Sequence, residues 1–343
     1  MLVWGDSCIS SHNIISNTRL QGGIGWNCRA WGWAAEYIVG MEVVTAEGKE
    51  VYCSKEVNPD LFWSARGSGP GFFAVVTEFH LQTMSRPAGM LASTYIWDVS
   101  EYDVVMTWIL ETSRKADPDI EITAVSFYPD PETPILSQRI HICVHLISFR
   151  SSDQESRSSL ELFAKSVPNK DKALTVVEFE ATSLANEFLH ESAAFPENHR
   201  YCVDNAWIKS ELSTQEIVSS MREIFTTLPS AQSSAMYFNL SPEPKISEMA
   251  LSLQTEHWLT VTCAWTEPEQ DRMCQDWLKE RFVDVEKVSP GLYIGDSDFQ
   301  VRKAAFMQSE KIEKLNSIRK VWDPNHLFCS YLGLEDDSSH GSE

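Results

Sequence analysis

The sequence predicts an α+β chain in which antiparallel sheet is backed by helices. Three observations carry that reading: paired strands alternating apolar and polar residues around Glu47-Gly48, a later region where β-branched strands alternate with helices bearing start signals, and a terminal amphipathic helix stopped by a proline. With 343 residues and 43% hydrophobic content, the chain can bury a large core and divides into two domains.

The first segment, LQGGIGWNCRAWG (Leu20 to Gly32), brings Gly22, Gly23 and Gly25 close together. Glycine is favoured where φ must be positive or where a neighbouring group leaves no room for a Cβ, and a tight turn or a close approach would each meet the pattern. MEVVTAEGKEVYCS then reads as a hairpin with a two-residue turn at Glu47-Gly48. In NPDLFWSARGSGPGFFAVVTEFHLQT a short helix ends at the glycine-proline cluster, and a strand runs from Phe72 to Leu81.

After Pro87 the texture changes, which sets a domain boundary near residue 88. Strands are predicted at 121–128, 138–149, 200–210, 234–240 and 257–265. Ser213 and Glu216 form a capping box ahead of Ile217, Met221, Ile224 and Phe225 on one helical face, and Thr266 with Glu269 repeats the device before Met273 and Trp277. The last helix, in QSEKIEKLNSIRKVWDPNHLF, stops at Pro324, and the tail 336–343 reads as disordered.

Composition narrows the function classes. The balance of 28 basic against 49 acidic residues gives a net charge of −21, which repels phosphate backbones and anionic membrane surfaces. Neither nucleic acid nor membrane is expected as a partner, and a small-molecule substrate fits better. The 8 cysteines are dispersed without a C-x-x-C pair, so neither a zinc ribbon nor a dense disulfide framework is expected. The opening MLVWGDSCISSHNII has no basic region followed by a long apolar stretch, so no signal peptide or membrane span is expected in the chain as written.

Two strands carry candidate chemistry. In HRYCVDNAWIKS the period of two puts Tyr201, Val203, Asn205 and Trp207 on one face and Cys202, Asp204, Ala206 and Ile208 on the other. The first face suits a substrate wall, with Tyr201 as proton-transfer partner or hydrogen-bond donor, Asn205 orienting it and Trp207 supplying an aromatic surface. The other reading is an aromatic core face with a satisfied amide. In RIHICVHLISF, His141, Cys143 and His145 share a face. Three ligands on one strand rarely suffice for a metal, and none is assigned; a pocket-facing histidine and a half-buried structural face remain open.

Several ordered motifs carry a resemblance. GGIGW, MEVVTAEGKEV and NPDLFWSARGSGPGFFAVVTEFHL resemble the second half of the PCMH-type FAD-binding domain of the vanillyl-alcohol oxidase superfamily, in its berberine-bridge-enzyme-like branch. YIGD and IRKVWDPNHLF resemble the segment that returns to close the flavin site. The resemblance implies a partial FAD-binding domain at 1–87, a substrate domain at 88–290 and a returning segment at 291–335. It implies FAD as cofactor, with Gly22, Gly23, Gly25 and Trp26 against the flavin, Ala74, Val75 and Val76 along the adenosine part, and Tyr293 and Asn325 contributed by the returning segment. Ala74 stands where the family pattern usually has glycine.

Family members carry a long segment before the glycine stretch, including the pyrophosphate loop and a residue for covalent flavin attachment. The chain as written is therefore expected to be a truncated or fragment form that carries little FAD, and His12 sits too near the glycines to serve as the attachment residue. The implied reaction is an FAD-dependent oxidation of a small organic molecule, possible in secondary metabolism, with dioxygen as electron acceptor. The alternative is a flavin-free descendant that binds a small molecule or guides a cyclisation.

Overall fold

Two antiparallel sheets organise residues 20–241, 248–331 and 334, which the computed structural model describes. His12 and the tail 336–343 lie outside the described residues. In the first unit, α1 (Cys28–Trp31) leads into β1 (Ile38–Thr45), β2 (Glu50–Ser54), α2 (Pro59–Ala65) and β3 (Ala74–Leu81), and the strands form a sheet of order β2-β1-β3. The hairpin closes through a longer loop than the expected two-residue turn: Gly48 N–H donates to Thr45 O at 2.9 Å and Thr45 N–H to Lys49 O at 3.0 Å. Strand β3 starts at Ala74 rather than Phe72, because Phe72 N–H is taken by Gly69 O in the turn before it.

The second unit runs β4 (Gly89–Asp98), α3 (Tyr102–Ser113), β5 (Ile120–Phe127), β6 (His141–Arg150), α4 (Asp153–Ala164), β7 (Thr175–Ala181), α5 (Leu184–Ala193) and β8 (Arg200–Ile208). It continues with α6 (Thr214–Thr226), β9 (Ser234–Asn239), β10 (His257–Trp265) and α7 (Asp271–Val288). The sheet order is β7-β4-β6-β5-β9-β10-β8, every pairing antiparallel. One face packs on helices: Ile122, Val144, Tyr237 and Val261 share a core with Ile109, Leu160, Ile224 and Phe282. The period of two leaves the alternate residues on the other face, where the site lies.

Helix starts follow local chemistry. At α6 the capping box forms, with Glu216 N–H donating to Ser213 Oγ at 3.3 Å and Ser213 N–H to Glu216 Oε2 at 2.9 Å. The second box, at Thr266 and Glu269, does not form. A turn at Pro268–Gln270 delays α7 to Asp271, whose carboxylate is taken by the Arg200 guanidinium and the Trp265 indole N–H.

After α7 the chain returns to the first unit and ends in α8 (Ser309–Trp322), just before Pro324. Leu292, Phe306, Leu315 and Ile318 join one core with Trp33, Met41, Leu61 and Phe62. Trp322 Nε1–H donates to Asp60 Oδ2 at 3.0 Å and Tyr331 O–H to Ser68 O at 2.8 Å, fastening the return. The division drawn at residue 88 falls between β3 and β4, and the one at 291 falls just after α7.

A buried ion pair braces this junction. Arg302 donates to both Asp204 oxygens, at 2.5 and 2.8 Å, and to Asn205 O at 2.7 Å. Burial pushes the Asp204 carboxyl upward, and the guanidinium opposes that shift. Arg302→Met should therefore cost roughly 3–5 kcal/mol in urea denaturation at neutral pH, because it strands a buried carboxylate. The deficit should narrow as pH falls and Asp204 takes up a proton; a deficit independent of pH would mean that packing, not charge, was lost.

Candidate active site

A cavity of about 670 Å³ lies over the sheet face turned away from the helices. Its floor is laid by alternate residues of neighbouring strands, such as Thr94, Thr123, His145, Met236 and Thr260. Ile24, Gly25 and Trp26 form one wall, α5 covers it through Glu187 and Glu191, and Tyr293 and Asp296 close one end. The volume is that of a small-molecule site.

The glycine stretch divides its duties. Gly22 and Gly23 have φ of 118° and 79°, which glycine adopts without strain. A Cβ at Gly22 would meet Trp33 Cε3 at 3.0 Å and Leu251 Cδ2 at 3.1 Å, so the group that approaches the backbone there is the protein's own indole. Gly23 N–H donates to the Tyr293 hydroxyl at 3.2 Å. Gly25 and Trp26 then reach the cavity, while Gly22 and Gly23 stand behind them.

The other expected residues scatter. Tyr201 is not in the wall: its hydroxyl donates to Pro196 O at 2.5 Å. Its strand face is the cavity face, since Asn205 pairs with Thr260 and Val203 with Thr262, but β8 is the sheet edge and the cavity stops at β10. Asn205 is fully buried and uses its whole amide. Nδ2 donates to Tyr293 O and Asp296 O, each at 2.7 Å, and Oδ1 accepts from Trp258 Nε1 at 3.0 Å and Tyr293 N at 2.7 Å. It is a positioning residue that sets the end wall, and it does not itself line the cavity. Ala74, Val75 and Val76 lie on β3, and Asn325 is exposed after α8; none borders the cavity.

Of the histidine strand, His145 alone faces the cavity. Nδ1 lies 2.9 Å from Thr94 Oγ1 and Nε2 3.1 Å from Glu187 Oε2. Burial acts to raise the Glu187 carboxyl, but hydrogen bonds from His145 and the Thr182 hydroxyl hold it below the usual range. His141 packs against the Phe127 ring, and burial pushes the Cys143 thiol up to about 12.

Glu121 and Glu191 were not legible as site residues, although each left a trace. In IEITAVSF, Glu121 is the charged residue on the strand face shared with Thr123 and Val125, and Glu187 and Glu191 are one helical turn apart in LANEFLHES. Glu121 Oε2 accepts from Asn27 N–H at 2.6 Å, while Oε1 is buried without a partner. Burial raises its carboxyl well above the usual range, with Glu191 and Glu187 adding to the shift against the Asn27 bond. Burial, with Asp296 nearby, brings Glu191 up to about 7.

These residues fit one end of a flavin and not the other. Backbone at Gly25 beside Trp26 and Tyr293 suits a flat ring. Glu121, Glu180, Glu187, Glu191 and Asp296 line the same space, and no Lys or Arg among the described residues does, so a diphosphate would find no cationic partner in the cavity lining. Among the described residues, no group of three His, Cys, Asp or Glu is arranged to hold a metal ion.

Comparison with known proteins agrees with this architecture. No family model matches the chain. It is 33% identical over 319 residues to the FAD-linked oxidoreductase penO of Penicillium crustosum, an alignment that covers 91% of this chain and 68% of that protein. Solved structures share the fold: BBE-like 1 of Physcomitrella patens at a TM-score of 0.74 and 17% identity, covering 96% of this chain and 71% of that one. The 6-hydroxy-D-nicotine oxidase of Arthrobacter nicotinovorans superposes at 0.75 and 17% identity, covering 92% and 69%.

The Asn205 clamp makes a direct prediction. Asn205→Leu orphans four buried partners and should cost upwards of about 3 kcal/mol, whereas Tyr201→Phe should cost about 1 kcal/mol or less. Urea denaturation of the two variants side by side checks the order, and a costlier Tyr201 variant would reverse it.

Proposed function

The chain belongs to the berberine-bridge-enzyme-like FAD-linked oxidoreductases, and from that premise we propose that the cavity is where a small organic substrate is oxidised. The observation that carries the proposal is the wall itself: Gly25 and Trp26 line one space of small-molecule size together with Glu191, a carboxyl brought up to about 7. A bound FAD would supply the hydride-accepting chemistry, with dioxygen as the proposed final acceptor. Ile24, Gly25, Trp26 and Tyr293 are the residues that would hold its ring. The names of the relatives favour this redox reading over a flavin-free cyclisation.

The chain's own groups then have separate tasks. Glu191 takes up the proton that the substrate loses; a carboxyl brought up to about 7 exchanges protons readily near neutral pH. Asp296, fixed by the Thr260 hydroxyl at 3.2 Å and by Asn205 through its carbonyl, closes the substrate end. The buried strand face and α5 exclude water from the reacting atoms.

Two measurements test this reading. In the flavin-loaded enzyme, turnover should rise with pH through about 7 as Glu191 loses its proton, and Glu191→Gln should remove that limb and cost roughly a hundredfold or more. An unchanged profile would take Glu191 out of the chemistry. Because the lining is acidic, the 343-residue chain should quench lumiflavin, which lacks the diphosphate, at least as tightly as FAD in low salt, and added salt should narrow the gap. Much tighter FAD binding would show that the diphosphate finds cationic partners.

A further inference from the structure

The cavity lining carries the carboxyl groups of Glu121, Glu180, Glu187, Glu191 and Asp296, and no Lys or Arg among the described residues. Glu187 is satisfied by His145 and Thr182, and Asp296 accepts from Thr260. Glu121 is different. It is 1% exposed, it lies in the cavity wall, and one of its oxygens has no partner although the whole carboxyl is buried. A buried carboxyl oxygen left unpaired is costly, and such groups are normally satisfied by protein, water or ligand.

The rest of the wall says which ligand would satisfy it. Apolar and aromatic surface is supplied by Met236, Phe238 and Trp258, and Trp258 sits edge-on to Tyr293 with ring centres 5.9 Å apart. No Lys or Arg among the described residues lines the cavity: its carboxyl side chains, Glu121, Glu180, Glu187, Glu191 and Asp296, stand against two histidines, His145 and His190, beside neutral hydroxyls such as Thr123 and Ser234. A cation beside an aromatic face and a carboxylate is favoured by both.

We propose that the cavity selects a substrate bearing a protonated amine on an aromatic or apolar body, with the ammonium against the unpaired Glu121 oxygen and Glu191, and the body against Phe238 and Trp258. This rests on the cavity being the substrate site. It narrows the oxidised molecule to an amine, as opposed to a neutral alcohol or a carboxylic acid. Glu121 acts here as a specificity residue: it binds the charge and is given no part in the proton transfer.

The experiment uses phenethylamine, 2-phenylethanol and 3-phenylpropionate, which share a body and differ in the head. Binding is read at neutral pH from the indole fluorescence that Trp26 and Trp258 place in the wall. Phenethylamine should bind at least tenfold more tightly than either of the others. Glu121→Gln, which keeps the acceptor for Asn27 N–H, should reduce amine affinity about tenfold and leave 2-phenylethanol unchanged. Glu191→Gln, on the more exposed side of the cavity, gives a second variant should the first not fold. Equal or tighter binding of the alcohol or the acid overturns the proposal, as does no amine binding, or an amine preference that survives in both variants. Flavin content, read from the visible absorbance of the same samples, tests the redox reading separately and does not affect the ranking of the three ligands.

Discussion

One side-chain amide holds the site together. Asn205 has two donors and two acceptor positions, all four are used, and every partner belongs to the end wall or to the aromatic ring beside it. Through Tyr293 the constraint passes on, because the Tyr293 hydroxyl accepts from Gly23 N–H. The edge of the large sheet, the returning segment and the glycine stretch are thus linked in series, and the cavity is the space they enclose. The hydrophobic core that unites Trp33, Trp207, Trp258 and Leu292 gives this chain a rigid backing. It is a packed junction with directed hydrogen bonds, so its parts are not free to shift independently.

Much of the architecture could be read directly, and the exceptions have physical causes. Strands β5, β6, β8, β9 and β10 all lie within a few residues of the predicted ranges, because runs of β-branched and aromatic residues between turn signals are a strong signal. Strand β4 begins with Gly89, Met90, Leu91, Ala92 and Ser93 and is buried along most of its length, which leaves little alternation to detect. Strand β7 is a short edge, exposed on and off along its length. The missed capping box at Thr266 shows a local signal overruled by the proline turn that follows.

The site was harder to read than the fold. Alternation puts Tyr201 and Asn205 on the β8 face that pairs with the cavity side of β10, but it does not reveal which strand lies at a sheet edge, and that topology decides whether a residue meets ligand or packing. The glycines were read as room for another group, and at Gly22 the other group is Trp33, close in sequence. Glu121 and Glu191 come from a strand and a helix well apart along the chain, and only tertiary pairing places both on one cavity.

The acid lining also explains why the cavity wall is built as it is. A carboxyl as buried as Glu121 is tolerable only if its charge is suppressed or compensated, and burial has shifted it toward the neutral form. Asn27 N–H works in the opposite direction by stabilising the anion. Asn27 sits in a left-handed conformation at φ 59°, directly after Trp26. The same backbone turn that presents Trp26 to the cavity therefore aims an N–H at Glu121 and offsets part of the cost of burying its anion. A cation arriving in the cavity would settle that balance toward the anion, so the wall is complementary to positive charge only once the charge is present.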